Sequence, residues 1–410
     1  MRVAMVGWEY PPFISGGLGV HCYELTRRLS EAGVDVDFYM PATKQPISSA
    51  WTRIIQVGPT SREEVELCVA GAYAGERSRL RQELEKTHCL DLAFFQAVAA
   101  FNELCLRRLL KNHAEKHYDV VHCHDWVSIV AGIKFAEKTG VPLVFTVHST
   151  EYNRSANLWP MDWIVKIEGL GIEKADRIIT VSERTKQELV ERFGADERKI
   201  RVVYNAVDYS FFSNSHKKAL VTDGRKLVLF HGRLSVQKGA DYFLRAAKRV
   251  LEKEKNVRFV VSGKGEQLPY LARLAVELGI SDKVTFTGYF PEEDLPSLYA
   301  AADAYVLPSV SEPFGITVLE AMASGTPVII SKNAGVVEIA KTCLRVDFWD
   351  VDEMAAKIIA VLRYAPLKNE MRKMEMREAS RFSWADTAVK TLQVYLEAIA
   401  SKTHALVLRG

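Results

Sequence analysis

This chain of 410 residues has little of what secreted, membrane-spanning or nucleic-acid-binding proteins need. It carries six cysteines, at positions 22, 68, 89, 105, 123 and 343, and no Cys-x-x-Cys. That scatter suits neither a disulfide framework nor a zinc ribbon and reads as reduced, mostly buried thiols. No apolar run approaches the roughly 20 residues that span a bilayer. The opening run Arg2-Val-Ala-Met-Val-Gly7 is strand-like and no cationic segment leads into an apolar stretch, so a cytoplasmic location is expected rather than a secretory leader. An excess of one charge is missing too. The net charge is +3 and acids balance bases in both halves, which makes nucleic acid an unexpected partner. Short-period repeats and low-complexity tracts are absent. So are a G-x-S-x-G nucleophile elbow, a G-x-G-x-x-G dinucleotide fingerprint and an Asp-x-Asp metal motif at a strand end.

What is present is a repeated alternation of short β-rich runs with amphipathic stretches. Such a pattern predicts an α/β protein of parallel sheets flanked by helices, and the length calls for two domains. In the first half the strand candidates are Val3–Gly7, Val34–Met40, Val120–Cys123, Leu143–Val147 and Ile178–Val181. Each is almost wholly apolar, as a parallel strand covered on both faces must be. A helix is predicted over His21–Ala32, stopped at Gly33. The second half restarts the same grammar with Leu227–His231, Val257–Ser262, Val284–Thr287, Ala304–Leu307 and Val328–Ile330. A polar stretch near 206–225 separates the halves, giving domains at 1–206 and 207–382. A last amphipathic run, Ser383–Ala400 within 383–410, comes after the second sheet. Two doubly wound domains place their ligand crevices at the C-terminal strand ends, so a cleft between them is expected.

Four segments at those strand ends could carry chemistry. Ser15-Gly16-Gly17-Leu18-Gly19 precedes the first helix, where bare backbone and free N–H groups suit an anion. His231-Gly-Arg233-Leu-Ser-Val-Gln-Lys238-Gly239 comes after a strand and offers a planar fork and a compact charge to phosphate. Ser311-Glu312-Pro-Phe-Gly315-Ile316-Thr317-Val-Leu-Glu320 opens a helix whose first N–H groups can receive an anion, with Glu320 placed for a ribose diol. His122-Cys123-His124-Asp125-Trp126 and Val147-His148-Ser149-Thr-Glu151 end two neighbouring strands on one crevice. His122 and Cys123 point to opposite faces of their strand, so no metal site is expected there. Taken singly, each segment also reads blandly, as a turn, a solvated loop, a helix cap or a structural histidine.

Together, Glu9-Tyr-Pro-Pro, Gly16-Gly17-Leu, His124-Asp125-Trp126, His148, Gly232-Arg233 with Lys238-Gly239, and Glu312-x7-Glu320 resemble the GT-B retaining glycosyltransferases, in order from residue 2 to about 340. The glycine loop and the His-Asp-Trp tripeptide look most like glycogen and starch synthases and their smaller α-glucosyltransferase relatives. The resemblance implies that Gly16 and Gly17 approach the donor diphosphate and that Arg233 and Lys238 neutralise it as it leaves, in place of a metal. Glu312 would hold donor-sugar hydroxyls beside the N–H groups of Gly315, Ile316 and Thr317, and Glu320 the ribose. His148 would contact the transferring sugar, Asp125 would orient sugar or acceptor, and the final helix would cross back onto the first domain. The chain departs from glycogen synthases at Ile14, where Lys is usual, at Phe314, where Cys is frequent, and at Asn205-Ala, where Asn-Gly is common. The first two move it toward the broader family, whose acceptors are diverse.

The expected activity is therefore transfer of a hexosyl, first of all glucosyl, unit from a nucleoside-diphosphate sugar (UDP- or ADP-glucose) to an α-glucan or other saccharide. No cofactor is expected. Transfer to a lipid or small molecule at a membrane surface is the alternative, suggested by the basic, partly amphipathic Leu106–His117. A nucleotide-sugar epimerase or hydrolase, or a non-catalytic sugar-binding protein, would be readings from other classes.

Overall fold

The computed structural model describes residues 1–13, 16–43, 45–58, 89–214 and 224–407. Ile14, Ser15, Cys68, the thiol of Cys89 and the part of the expected hinge at 215–223 lie outside the described residues. Two wholly parallel sheets carry the architecture. The first contains β1 (Arg2–Val6), β2 (Asp35–Pro41), β3 (Arg53–Val57), β4 (Val120–His124), β5 (Leu143–Val147), β6 (Arg177–Thr180) and β7 (Ile200–Val202), in the order β3-β2-β1-β4-β5-β6-β7. The second contains β8 (Lys226–His231), β9 (Val257–Ser262), β10 (Val284–Gly288), β11 (Ala304–Leu307), β12 (Val328–Ser331) and β13 (Leu344–Val346), in the order β10-β9-β8-β11-β12-β13. These are two Rossmann-like domains, each reversing strand order beside its first strand, at β1/β4 and β8/β11. Ligand crevices open at such reversals, and both lie on the cleft.

Strands whose two faces are covered were legible, and so was one edge strand, the partly buried β10. β1, β4 and β5 are buried at every residue, which requires an unbroken apolar run. Three edge strands went unpredicted: β3 (Arg-Ile-Ile-Gln-Val), whose first residue is exposed, and the three-residue β7 and β13. The first helix runs Gly17–Glu31, four residues earlier than the His21 start read from the pattern. Its glycines lie inside the helix and at its N-cap rather than in a loop before it.

One correction concerns a longer helix. Leu106 to Glu115 belong to a helix, Cys89–Glu115, whose Leu106 and Leu109 are buried in the core under the first sheet. The apolar face that suggested membrane contact is thus already covered by protein. Among the described residues no helix is long and apolar enough to cross a membrane. The last helix, Trp384–Val407, returns to the first domain and covers one face of its sheet. Ala388, Val394, Tyr395 and Ala398 pack there with Val3, Met5, Val120, Val144 and Ile179. The Tyr395 hydroxyl meets His122 Nδ1 at 2.7 Å, and Glu397 pairs with Arg177 and Arg201.

The halves also touch directly. The N-terminal amides of Glu183 and Arg184 each donate to the Glu338 carboxylate at 2.8 Å, the favourable end of a helix for a negative charge. Asn153 Nδ2 donates to Ser311 Oγ at 3.2 Å. Cys22, Cys105, Cys123 and Cys343 are buried free thiols.

Candidate active site

The first-domain side of the cleft is built on one strained turn. After β4 the chain reverses at Asp125, with φ 56° and ψ 173°, a region that residues bearing a side chain rarely enter. The turn sends the carboxylate across to the end of β5, where Oδ1 accepts the backbone N–H of His148 at 2.7 Å and of Ser149 at 3.4 Å. Asp125 therefore holds the loop that presents His148. Burial pushes the Asp125 carboxyl up to about 6, against the pull of the Arg154 guanidinium and the two amide donors.

His148 is one corner of a group of three imidazoles. Its Nε2 lies 3.0 Å from His124 Nδ1, and His21 from the first helix faces both rings, at 4.5 Å from His148 and 5.5 Å from His124 between centroids. His21 Nδ1 is fixed at 2.7 Å from Asn205 Oδ1. Burial keeps all three neutral, His148 being lowered to about 3 and the other two well below the usual range. The Nε2 atoms of His21 and His124 are buried without a hydrogen-bond partner. Among the described residues this is the group whose ligand atoms, all within 4.8 Å of one another, could hold a metal ion. The metal considered from sequence used His122, Cys123 and His124. His122 is engaged with Tyr395 and Thr146, and Cys123 lies in the core on the other face of the sheet.

Across the cleft, the loop after β8 ends in Lys238 and Gly239. Gly239 has φ 66°, and a β-carbon on it would lie 2.1 Å from Pro308 O, so only glycine lets this loop close on the end of β11. That approach brings Lys238 Nζ to 2.5 Å from Glu312 Oε2, which also accepts from Ser309 Oγ at 3.2 Å. Lys238 and Glu312, read separately as a phosphate ligand and a sugar ligand, are each other's counterion here. Gly315, at φ 108°, starts the helix Ile316–Ala323 with no side-chain cap. Thr317 Oγ1 accepts from Tyr305 OH at 2.8 Å. Glu320 is buried, accepts from Tyr299 OH at 2.8 Å, and is pushed up to about 7 by burial.

The two sets meet at the glycine pair. Gly16 is the extended N-cap of the first helix and makes no side-chain cap, and a β-carbon on it would lie 3.6 Å from Arg233 Nη2. A β-carbon on Gly17 would lie 3.2 Å from Ile316 Cδ1. Gly16, Gly17, Arg233 and Ile316 are therefore one locus contributed by both domains. Beside it opens a 660 Å³ cavity, to which Asp125 and Arg233 both contribute. His148 and Asp125 are joined on one side, Lys238 and Glu312 on the other.

Several residues of the site escaped the sequence reading. His21 and Asn205 lie 184 positions apart and only the fold joins them. Trp8, Phe94, Trp159 and Trp163 line the cavity, and an aromatic residue on a loop or a helix carries no local signal of its facing a cleft. Arg154 was the one available hint, because it lies six residues beyond His148 on the same crevice.

Comparison with known proteins gives a consistent result. Residues 15–211 match the family model "Glycosyltransferase Family 4" and residues 211–377 match "Glycosyl transferases group 1". An uncharacterised glycosyltransferase of Methanocaldococcus jannaschii is 33% identical over 96% of this chain and 98% of its own. A glycogen synthase of Mycobacterium tuberculosis is 30% identical over 97% and 95%. A D-inositol 3-phosphate glycosyltransferase of Mycolicibacterium smegmatis is 34% identical over 94% and 87%. Among solved structures, sucrose-phosphate synthase from Thermosynechococcus elongatus superposes with a TM-score of 0.80, covering 98% of this chain and 99% of that one at 22% identity.

Proposed function

The chain belongs to the GT-B glycosyltransferases, and from that membership we propose that it moves a glucosyl unit from a nucleoside-diphosphate sugar to a saccharide acceptor, retaining the anomeric configuration and using no metal ion. The observation that carries this reading is the locus where Gly16 and Gly17 of one domain come within a methyl group's reach of Arg233 and Ile316 of the other. Bare backbone at a helix start and a guanidinium opposite it make a clamp for a diphosphate that exists only when both domains contribute.

In this reading the donor diphosphate enters between the glycine pair and Arg233, and Lys238 turns from Glu312 toward it. Glu312 is then released to hold donor-sugar hydroxyls, close to a sugar that becomes positive as the bond breaks. Gly315, Ile316 and Thr317 present backbone N–H groups at the helix start, and Glu320 meets the ribose through the oxygen that Tyr299 leaves. His148, neutral, offers a hydrogen bond to the transferring sugar rather than a proton, and Asp125 holds its loop. Departure and attack on the same face of the sugar account for retention. Cations fixed beside the leaving diphosphate bind the transition state more tightly than the ground state and so raise turnover.

The test is direct. UDP-, ADP- and GDP-glucose are screened by thermal shift, since a ligand of the folded state raises its apparent stability. The preferred donor is then turned over with saccharide acceptors in the presence of EDTA, and proton NMR reads the first-formed product. An α-linked product formed at full rate under chelation is the expected outcome. A β-linked product would overturn the retaining assignment, and loss of turnover that a divalent ion restores would overturn the metal-free one.

A further inference from the structure

The 660 Å³ cavity beside the glycine locus is lined by aromatic rings and carboxylates. Trp8, Phe94, Trp126 and Trp163 run edge to face around it, with centroid separations of 5.8, 5.9 and 5.3 Å between successive rings. Trp159 stands at its margin, 81% exposed, on a turn whose preceding residues Ala156 and Asn157 both have left-handed backbone, at φ 52° and 60°. Two consecutive non-glycine residues held there cost free energy, which points to a turn shaped to present the nearby indole. Such a volume suits one to a few sugar rings, whose C–H faces pack on indole while their hydroxyls seek polar groups.

The charges of the cavity decide what kind of sugar. Its acids are Glu9, Asp125, Glu151 and Glu266, and its cations are Arg154 and Arg233. Arg233 faces the glycine locus. Arg154 has its donors committed inside the protein. Nε donates to Glu151 at 3.2 Å, Nη1 to the carbonyl and hydroxyl of Ser149 at 2.7 and 3.1 Å, and Nη2 to Glu168 at 2.5 Å. Glu151 and Glu168 are both buried. A phosphate arriving at Arg154 would have to displace two buried carboxylates from its guanidinium and then lie beside them.

We propose that this cavity is the acceptor chamber and that it takes uncharged saccharides or glycosides by stacking, while turning away sugar phosphates. The proposal rests on the transferase reading above and narrows it to one acceptor class. Charge repulsion from Glu9, Asp125 and Glu151 supplies the rejection, and the aromatic wall supplies the affinity.

The experiment uses the full chain with its preferred donor and two acceptor panels. Maltose, maltotriose and 4-nitrophenyl α-D-glucopyranoside form one panel; glucose 6-phosphate, fructose 6-phosphate and inositol 1-phosphate form the other. Acceptor-dependent nucleotide release and quenching of tryptophan fluorescence are both read. Neutral acceptors should be favoured in kcat/KM by about a hundredfold. Trp159→Ala, on an exposed side chain whose loss the fold tolerates, should raise the KM of neutral acceptors about tenfold and leave the donor KM unchanged. The double variant Glu151→Gln, Glu168→Gln should free Arg154 and narrow the discrimination against phosphates by about tenfold. Preference for phosphorylated acceptors would overturn the charge argument and leave the transferase reading standing. An unchanged acceptor KM in Trp159→Ala, or no quenching by either panel, would overturn the chamber assignment. Donor binding without acceptor-dependent release from any compound would instead count against the transferase reading.

Discussion

At the scale of single residues, the structure turns two expected ligands, Lys238 and Glu312, into a pair and sets a third, Asp125, on a strained turn. Lys238 and Glu312 lie 2.5 Å apart, with Glu312 almost wholly buried. Removing either one leaves the other without its counterion, at a cost of about 1–3 kcal/mol in stability. Lys238→Ala should also lower turnover on the order of 10²–10³, the loss expected when one stabilising contact to developing charge disappears. The double variant Lys238→Met, Glu312→Gln should recover most of the stability and none of the turnover, as thermal melts and kcat on the same samples would show. Asp125 gives a pH signature. Its carboxyl lies above the ordinary range, so the ionised form is disfavoured by folding: its contribution to stability is full below about pH 4 and is lost as the pH rises through 6. Activity runs the other way, because the ionised carboxylate is the stronger acceptor for the His148 amide. An acid limb in kcat/KM near pH 6 is expected, and Asp125→Asn should remove it while any limb near 7 from Glu320 remains. A limb at pH 6 that persists in Asp125→Asn would show that another group sets it.

At the scale of elements, function depends on where helices begin. The first helix starts at Gly17, and the glycine before it offers no side chain to cap the first N–H groups. Gly17→Val should leave the fold intact, since the position is exposed, yet crowd Ile316 Cδ1, which a β-carbon alone would approach to 3.2 Å. The donor KM should rise about tenfold, an overpacking cost of roughly 1.4 kcal/mol; an unchanged donor KM would remove the glycine pair from the binding site. The elements that sequence made legible were those doing one job throughout. β1, β4, β5, β8 and β11 are covered on both faces and read as apolar runs, and each motif singled out from the sequence follows the C-terminal end of one of them. Apart from the edge strand β10, elements with mixed duty were less legible. β3 and β7 lie at the edges, and the Leu106–Glu115 stretch is basic on one face and core on the other, so its pattern fitted a membrane surface as well as a protein interior. The imidazole trio and the aromatic chamber were hidden for a different reason. Their members come from segments far apart in sequence, and nothing local marks them as neighbours.

At the scale of the whole molecule, the two domains are tied by more than the segment between them. Glu338 sits on the N-terminus of the Glu183–Phe193 helix, and the helix Trp384–Val407 lies on the first sheet. Deleting residues 384–407 should uncover Val3, Met5, Val120 and Val144 and take the Tyr395 hydroxyl from His122. Burial of the Val394 and Tyr395 side chains alone is worth about 3–6 kcal/mol. Hydrogen exchange should then show β1 and β4 losing protection while β8 and β11 keep theirs. Equal loss in both sheets would mean that the helix stabilises the molecule as a unit rather than the first domain.

The returning helix also sets an order of birth. The strands of the first sheet are synthesised first, but the face that Tyr395 and its neighbours cover stays open until Trp384–Val407 have been made, roughly ten to forty seconds later at the usual pace of translation. The second sheet, whose core draws on residues from Val181 to Ala379, has all its parts before that. The half that leaves the ribosome first is thus finished last. A nascent chain cut short anywhere before the final helix would hold a nearly complete second domain beside an unsealed first one, with His122 lacking its Tyr395 partner and the apolar face around it exposed to the chaperones and proteases that sort such products.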